Sequence, residues 1–317
     1  MTPPPGAVAA GRTDSRMLLT VIGGFLGSGK TTLLDRAYRD PDTVVIVNDA
    51  GERAPDLAAD VLTLLGGCAC CDRLDALVAL LRDLCERRHS RTGPNRVVLE
   101  TSGLADPARI LQAVDRDRVL VSNVTVVDVV VTVDAARGVS DLIHEPLARE
   151  QVEQADTVIV TKADLVDDHG LGVVLATVAA MNPGAVLEVS AFGRPPPIPA
   201  FHPADAVPLP AATTQSTPRS AWIPVSGTVD WTVFSLWLSA LVVAYPHQIL
   251  RLKGLLRTPR GPVILHAARG TIGLPTVLDA AADDDEDHGL LFVVRDLDPA
   301  TVRASWDAHR RALSAES

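Results

Sequence analysis

The chain has 317 residues, 47% of them hydrophobic, which excludes disorder throughout and predicts about two domains of ordinary size. With 29 basic against 39 acidic residues and a net charge of −10, it lacks the electrostatic footprint of a general nucleic-acid binder. Any anionic ligand must therefore be held by a local arrangement of donors.

Residues 1–16 are rich in Pro, Gly and Ala and read as a flexible tail. They contain no continuous apolar core of the kind a signal peptide needs, and Met17, directly before the first strand, is an alternative start to Met1. The longest apolar stretch, Trp231–Tyr245, is too short and too often interrupted by Ser and Thr to span a bilayer. A cytoplasmic protein without membrane or nucleic-acid partners is expected.

From Met17 to Phe192, short β-rich runs alternate with helical patterns. Strands are predicted at Leu18–Ile22, Thr43–Val47, Val61–Leu65, Arg96–Leu99, Val124–Val133, Thr157–Val160 and Ala185–Val189. Helix-length segments such as Thr31–Arg39, Leu74–Arg88 and Leu171–Met181 lie between them. Near-continuous Val/Ile/Leu strands separated by helices predict an α/β domain over 17–192 with a mostly parallel sheet. Residues 193–219 carry a run of prolines and read as a linker or long loop. Residues 220–317 predict a smaller α+β domain. Its strands are expected near Trp222–Val225, Gln248–Leu256, Val263–His266 and Leu290–Val294, with helices over Trp231–Ala244 and Pro299–Leu313.

The segment Gly24-Phe25-Leu26-Gly27-Ser28-Gly29-Lys30-Thr31, followed by Thr32, fulfils G-x-x-x-x-G-K-[ST] between a strand and a helix. Glycines let consecutive N–H groups converge on phosphate oxygens, with the positive end of the helix behind them. Lys30 would reach the terminal phosphates, and the Thr31 hydroxyl would help hold Mg²⁺. Farther on, Thr161-Lys162-Ala163-Asp164 follows a strand. A carboxylate at Asp164 can accept from both the ring N–H and the exocyclic amine of guanine, and the Lys162 stem can lie over the base. This resembles the guanine-specificity motif of GTPases, with Thr161 where Asn is commonest, so an amide brace is lost and base selectivity is expected to be looser; the motif's place at a strand end after the Gly-rich loop still favours GTP over ATP. Ser190-Ala191 would complete the base pocket.

Glu100-Thr101-Ser102-Gly103 stands at another strand end. Gly103 could offer its N–H to the γ-phosphate, and Glu100 could orient the attacking water or a Mg²⁺-bound water. The adjoining Asp106-Pro107 pair also reads as a helix entry. Asn48-Asp49, at the end of the second strand, sits where a switch loop belongs.

Cys68, Cys70 and Cys71 lie within four residues, a spacing poor for a disulfide framework and suited to soft-metal chemistry. Two or three thiolates would bind Zn²⁺ or Cu(I) and, less strongly, Co²⁺ or Ni²⁺, with Asp49, Glu52, a His or water completing the shell. Buried packing in a Gly-rich turn and a redox pair are the other readings of the same residues. Cys85, within a helical pattern, reads as core. The other histidines are scattered, and none is nominated as a ligand.

These motifs stand in an order that resembles the CobW-type family: Gly24–Leu34, Val47–Glu52, Gly67–Cys71, Glu100–Pro107, Thr161–Asp164 and, near the C-terminus, Arg251–Gly254. The resemblance implies a P-loop GTPase domain joined to a CobW-type C-terminal domain. It further implies GTP- and Mg²⁺-dependent delivery of zinc, cobalt or a related ion to a client protein. Only three basic residues are lysines, and all three, Lys30, Lys162 and Lys253, fall in these motifs. The chain departs from the pattern with Asp49 where Glu is usual, Val293-Val294 where Ile-Gly is usual, and an acidic run, Asp283–His288, in place of a His-rich loop. A regulatory or scaffold GTPase with structural or redox cysteines is the rival reading, and a small-molecule kinase a third.

Overall fold

The structure is a computed structural model that describes residues 16–37, 42–47, 60–63, 74–90, 92–192, 195–210, 219–246, 248–268, 271–272, 275–277 and 288–314. The chain divides into two compact units, with the division at residues 212–213.

The first unit is built on seven parallel strands: β1 (Met17–Gly24), β2 (Thr43–Val47), β3 (Asp60–Thr63), β4 (Arg96–Glu100), β5 (Val124–Asp134), β6 (Thr157–Thr161) and β7 (Val186–Val189). Their order across the sheet is β3-β2-β4-β1-β5-β6-β7. The strands are Val/Ile/Leu-rich because both faces are covered, which leaves no solvent side to alternate toward. The helices are α1 (Lys30–Ala37), α2 (Leu74–His89), α3 (Pro107–Arg116), α4 (Leu120–Asn123), α5 (Gly138–His144), α6 (Pro146–Gln154) and α7 (Asp168–Met181). Leu77, Leu81, Leu84 and Cys85 of α2 bury against Leu19, Val21, Val97 and Leu99. On a second cluster, Val152 of α6 and Val174, Leu175 and Val178 of α7 meet Val131, Val158 and Val160.

Helix starts follow local chemistry. Asp106 accepts from the Ala108 N–H at 2.9 Å with Pro107 in the first turn of α3, and Asp167 accepts from the Gly170 N–H at 2.8 Å at the start of α7. The helices α4, α5 and α6 fall where sequence periodicity predicts nothing definite. They are 4, 7 and 9 residues long, too short for the 3.6-residue period to emerge.

The proline-rich segment differs from a free spacer over its described part. The Val207 N–H donates to Thr177 Oγ1 of α7 at 3.0 Å, and Phe201 and Leu209 pack on the α7 cluster. Residues 195–210 are therefore a loop of the first unit.

The second unit contains β8 (Arg219–Pro224), α8 (Trp231–Ala244), β9 (Ile249–Thr258), β10 (Gly261–Ala268), β11 (Thr271–Ile272), β12 (Thr276–Val277), β13 (Gly289–Val294) and α9 (Pro299–Ser314). The longer strands form an antiparallel sheet in the order β10-β9-β13-β8, and the two-residue strands β11 and β12 both pair with β10. Neither short strand carries enough residues to show an alternation in the sequence. Asp230 caps α8 by accepting from the Thr232 and Val233 N–H groups at 2.8 and 3.2 Å. The core here is aromatic. Phe234 lies 5.7 Å from both Trp237 and Trp306, Trp237 and Trp306 are 4.8 Å apart, and Trp237 Nε1 donates to Ser305 Oγ at 3.0 Å. Among the described residues, no helix is long and apolar enough to cross a membrane.

Candidate functional site

The carboxyl ends of four adjacent strands converge. In β1 and β4, Ile22 pairs with Glu100; in β5 and β6, Asp134 pairs with Thr161. With β1 between β4 and β5, the connection from β1 opens in the crevice where open α/β sheets bind ligands.

That connection is the Gly24–Thr31 loop. Gly24 has φ +138°, and a Cβ there would collide with Thr132 Oγ1 and lie 2.6 Å from Ser28 Oγ, so only glycine fits. Ser28 and Thr132 hydroxyls share a hydrogen bond of 2.7 Å, and Thr132 Oγ1 donates to Gly23 O at 3.3 Å. The loop is thereby tied to β5. Lys30, only 7% exposed, donates from Nζ to Gly24 O at 2.9 Å and Phe25 O at 3.3 Å, which aims the ammonium into the curl of the loop. Thr31 Oγ1 donates to Glu100 Oε1 at 2.7 Å, and Glu100 is 1% exposed. Thr32, one residue on, is exposed.

After β4 the chain folds back on the loop. Thr101 holds Ile22 O through its N–H at 2.9 Å and its hydroxyl at 3.0 Å. Gly103 is packed so closely on Leu26 that a Cβ would stand 2.7 Å from Leu26 Cδ2 and 2.9 Å from its backbone N.

By residue type, Thr161 leaves the loop without the brace that Asn supplies. Instead its hydroxyl donates to Ser28 O at 2.6 Å and contacts Val133 O at 3.3 Å, so a backbone brace is present with a shorter arm. Lys162 takes a left-handed backbone conformation (φ 56°) and donates to Gly27 O at 2.8 Å and Asp134 Oδ2 at 2.6 Å. Asp134 belongs to none of the sequence motifs. Its other oxygen accepts from the Ala136 and Arg137 N–H groups at 2.8 and 3.3 Å, and its only sequence signal is an acid ending a long apolar strand. Asp164 is exposed in the short turn that follows Lys162, and Ser190 O accepts from the Ala163 N–H at 3.2 Å, which joins the two base-side segments.

The structure thus gathers Gly24, Gly27, Ser28, Gly29, Lys30, Thr31, Glu100, Gly103, Thr161 and Lys162 around one loop, with Asp164 and Ser190 beside it. Cys68, Cys70, Cys71, Asn48, Asp49, Glu52 and the acidic run Asp283–Asp287 lie outside the described residues. Among the described residues, no cluster of three or more His, Cys, Asp or Glu side chains could hold a metal ion. Cys85 is buried in the α2 core, which pushes its thiol up to about 11.

The donor set at Thr31 and Glu100, a hydroxyl beside a buried carboxylate, fits a hard cation such as Mg²⁺.

Residues 18–187 match the family model of the CobW/HypB/UreG nucleotide-binding domain, and residues 219–310 match that of the cobalamin synthesis protein cobW C-terminal domain. The zinc chaperone YjiA of Escherichia coli K12 is 33% identical over 157 residues, covering 46% of this chain and 49% of that protein. The zinc chaperone CobW of Pseudomonas aeruginosa is 30% identical over 229 residues, covering 59% of this chain and 60% of that protein. The chain thus spans about half to three-fifths of the length of these curated relatives. The crystal structure of Zn(II)-bound YjiA GTPase from E. coli shares the fold, with a TM-score of 0.57 at 18% identity over 92% of this chain and 98% of that one. A phosphate-binding loop braced from β4, β5 and β6, and two family models matched in succession, lead to one conclusion: the chain belongs to the CobW family, with the CobW/HypB/UreG nucleotide-binding domain followed by the family's C-terminal domain.

Proposed function

We propose that this protein hydrolyses GTP and uses the cycle to carry a transition metal, most simply zinc, to a client protein. The observation that carries the hydrolytic part is the 2.7 Å contact between Thr31 and the buried Glu100 at the mouth of the phosphate-binding loop. In this reading the N–H groups of Gly24–Thr31 cradle the phosphates, and Lys30 leaves its carbonyl partners for the β- and γ-phosphate oxygens. The Gly103 N–H faces the γ-phosphate, and Glu100 orients the attacking water or a Mg²⁺-bound water. Asp164 reads guanine, the Lys162 stem lies along the base, and the Ser190 loop closes the pocket. Thr31 and Glu100 would hold Mg²⁺, which when bound would supply neutralisation of the phosphates' negative charge.

The metal cargo belongs to Cys68, Cys70 and Cys71, with Asp49 adding an oxygen ligand. The names of the curated relatives, both zinc chaperones, support zinc over cobalt. Three thiols so close together remain reduced only in a reducing compartment, which supports a cytoplasmic location. GTP and metal couple if each favours the same arrangement of the loops after β2 and β3.

A competition titration of Zn²⁺ and Co²⁺ under reducing conditions, with a GTP analogue and then with GDP, tests this. Tight binding that weakens on exchange to GDP and is lost in a Cys70→Ser/Cys71→Ser variant is the expected outcome. Binding indifferent to both nucleotide and cysteines would overturn metal delivery and leave a regulatory GTPase.

A further inference from the structure

We infer that Gln151 is a positioning residue for hydrolysis, the clamp that sets the Gly103 peptide against the phosphate-binding loop; this rests on the proposed role of the Gly103 N–H. Helix α6 buries Ala148, Gln151 and Val152. An amide on the core face of a helix breaks the apolar pattern, and such breaks concentrate where function needs them. Gln151 is 0% exposed, and its Nε2 donates to Gly103 O at 3.3 Å and to Ala105 O at 2.7 Å. Because both partners are carbonyls, the amide can take only this orientation; the flipped form would set oxygen against oxygen.

The clamp completes a restraint that starts elsewhere. Thr101 is fixed to Ile22 O by both its N–H and its hydroxyl. One helical turn beyond Gln151, Gln154 Nε2 donates to Asp106 Oδ1 at 3.1 Å. Between these anchors, the Gly103 N–H belongs to the Ser102–Gly103 peptide, whose carbonyl accepts from the Ala105 N–H at 3.0 Å; Leu26 packs on Gly103, and Gln151 fixes the far side of this turn through Gly103 O and Ala105 O. Glycine alone has a wide choice of φ and ψ, so the direction of its N–H is set by what holds the peptide planes beside it. A donor that must meet a developing charge tolerates about half an ångström of error, which makes the clamp a determinant of rate more than of binding.

The test is steady-state hydrolysis of Mg²⁺–GTP by the full chain, with Gln151→Met, Gln151→Glu and Gly103→Ala beside the wild type. Gln151→Met keeps length and bulk but removes both donors. Its kcat is expected to fall about ten- to a hundredfold, with KM and GDP affinity moving by no more than about twofold. Gln151→Glu sets a carboxyl against two carbonyls. Asp134 and Asp141 line the same cavity, Asp134 paired with Lys162 and Asp141 with Arg137, so burial and these acids favour the protonated form of the new carboxyl. Only that form donates a hydrogen bond. The kcat of Gln151→Glu relative to wild type is therefore expected to climb as pH falls from about 8 to about 6.

An unchanged kcat in Gln151→Met, with Gly103→Ala inactive, would overturn the clamp alone. Full activity in Gly103→Ala would instead remove the role given to Gly103. Should Gln151→Met not fold, the wild-type chain decides through the ¹⁵N signals of the Gln151 side-chain amide. A shift between GDP and a GTP analogue supports the clamp, and identical signals in both states overturn it.

Discussion

At Thr161 a hydroxyl reaches Ser28 O and Val133 O, so one side chain joins the phosphate-binding loop to the ends of β5 and β6. Thr161→Val keeps the shape and strands Ser28 O without that donor. Losing a buried hydrogen bond of this kind costs about 1–3 kcal/mol, so affinity for a fluorescent GDP analogue is expected to drop about five- to 150-fold. Cys85 makes a contrasting case. Burial holds its thiol at about 11, well above neutrality, so it remains protonated and a poor nucleophile in the folded chain. Brief iodoacetamide treatment of the native protein near pH 8 should leave Cys85 unmodified, and the same treatment after unfolding should label it; mass spectrometry of the peptide distinguishes the two. Reagent uptake by the native chain would then be assigned to the Cys68–Cys71 segment.

Among the elements, α3 depends on the residue that precedes it. Asp106 both caps the helix and receives Gln154 from α6. Asp106→Ala should lower stability by about 1 kcal/mol, read as a drop of about 2–4 °C in the melting temperature of the first unit. In β7, burial and then the neighbouring Asp128 raise the Glu188 carboxyl above its ordinary value. A carboxyl raised in the folded state prefers to be protonated there, so folding is penalised as pH rises past the ordinary value and the group ionises. Glu188→Gln should therefore raise the melting temperature at about pH 7.5 and change it little at about pH 4, where the wild-type carboxyl is already neutral. The strands are legible in the sequence because a doubly covered parallel sheet writes itself as runs of Val, Ile and Leu. Asp134 and Gln151 are not, since each acquires its role from partners 28 or more positions away: Lys162 for Asp134, and Gly103 and Ala105 for Gln151. The brace at Thr161 is hidden for a related reason. Residue type suggests a lost amide, while the distance to Ser28 O, which decides the matter, exists only in the fold.

For the whole molecule, two units with separate cores divide the chemistry. The nucleotide motifs all belong to the first, and their order along the chain suffices to assign them to strand ends. Arg251–Gly254, by contrast, falls within β9 of the second, a strand interior, where its short motif gives no indication of what it does. The aromatic core of that second unit has an optical consequence. All four tryptophans of the chain, Trp222, Trp231, Trp237 and Trp306, lie there, so intrinsic emission excited near the red edge of absorption is a signal from the second unit alone. Nucleotide bound at the Gly24–Thr31 loop is silent in that signal unless the second unit responds to it. Exchanging GDP for a GTP analogue in zinc-loaded protein is expected to move the emission maximum. A spectrum unchanged by the exchange would mean that the tryptophan-bearing half takes no part in sensing the nucleotide.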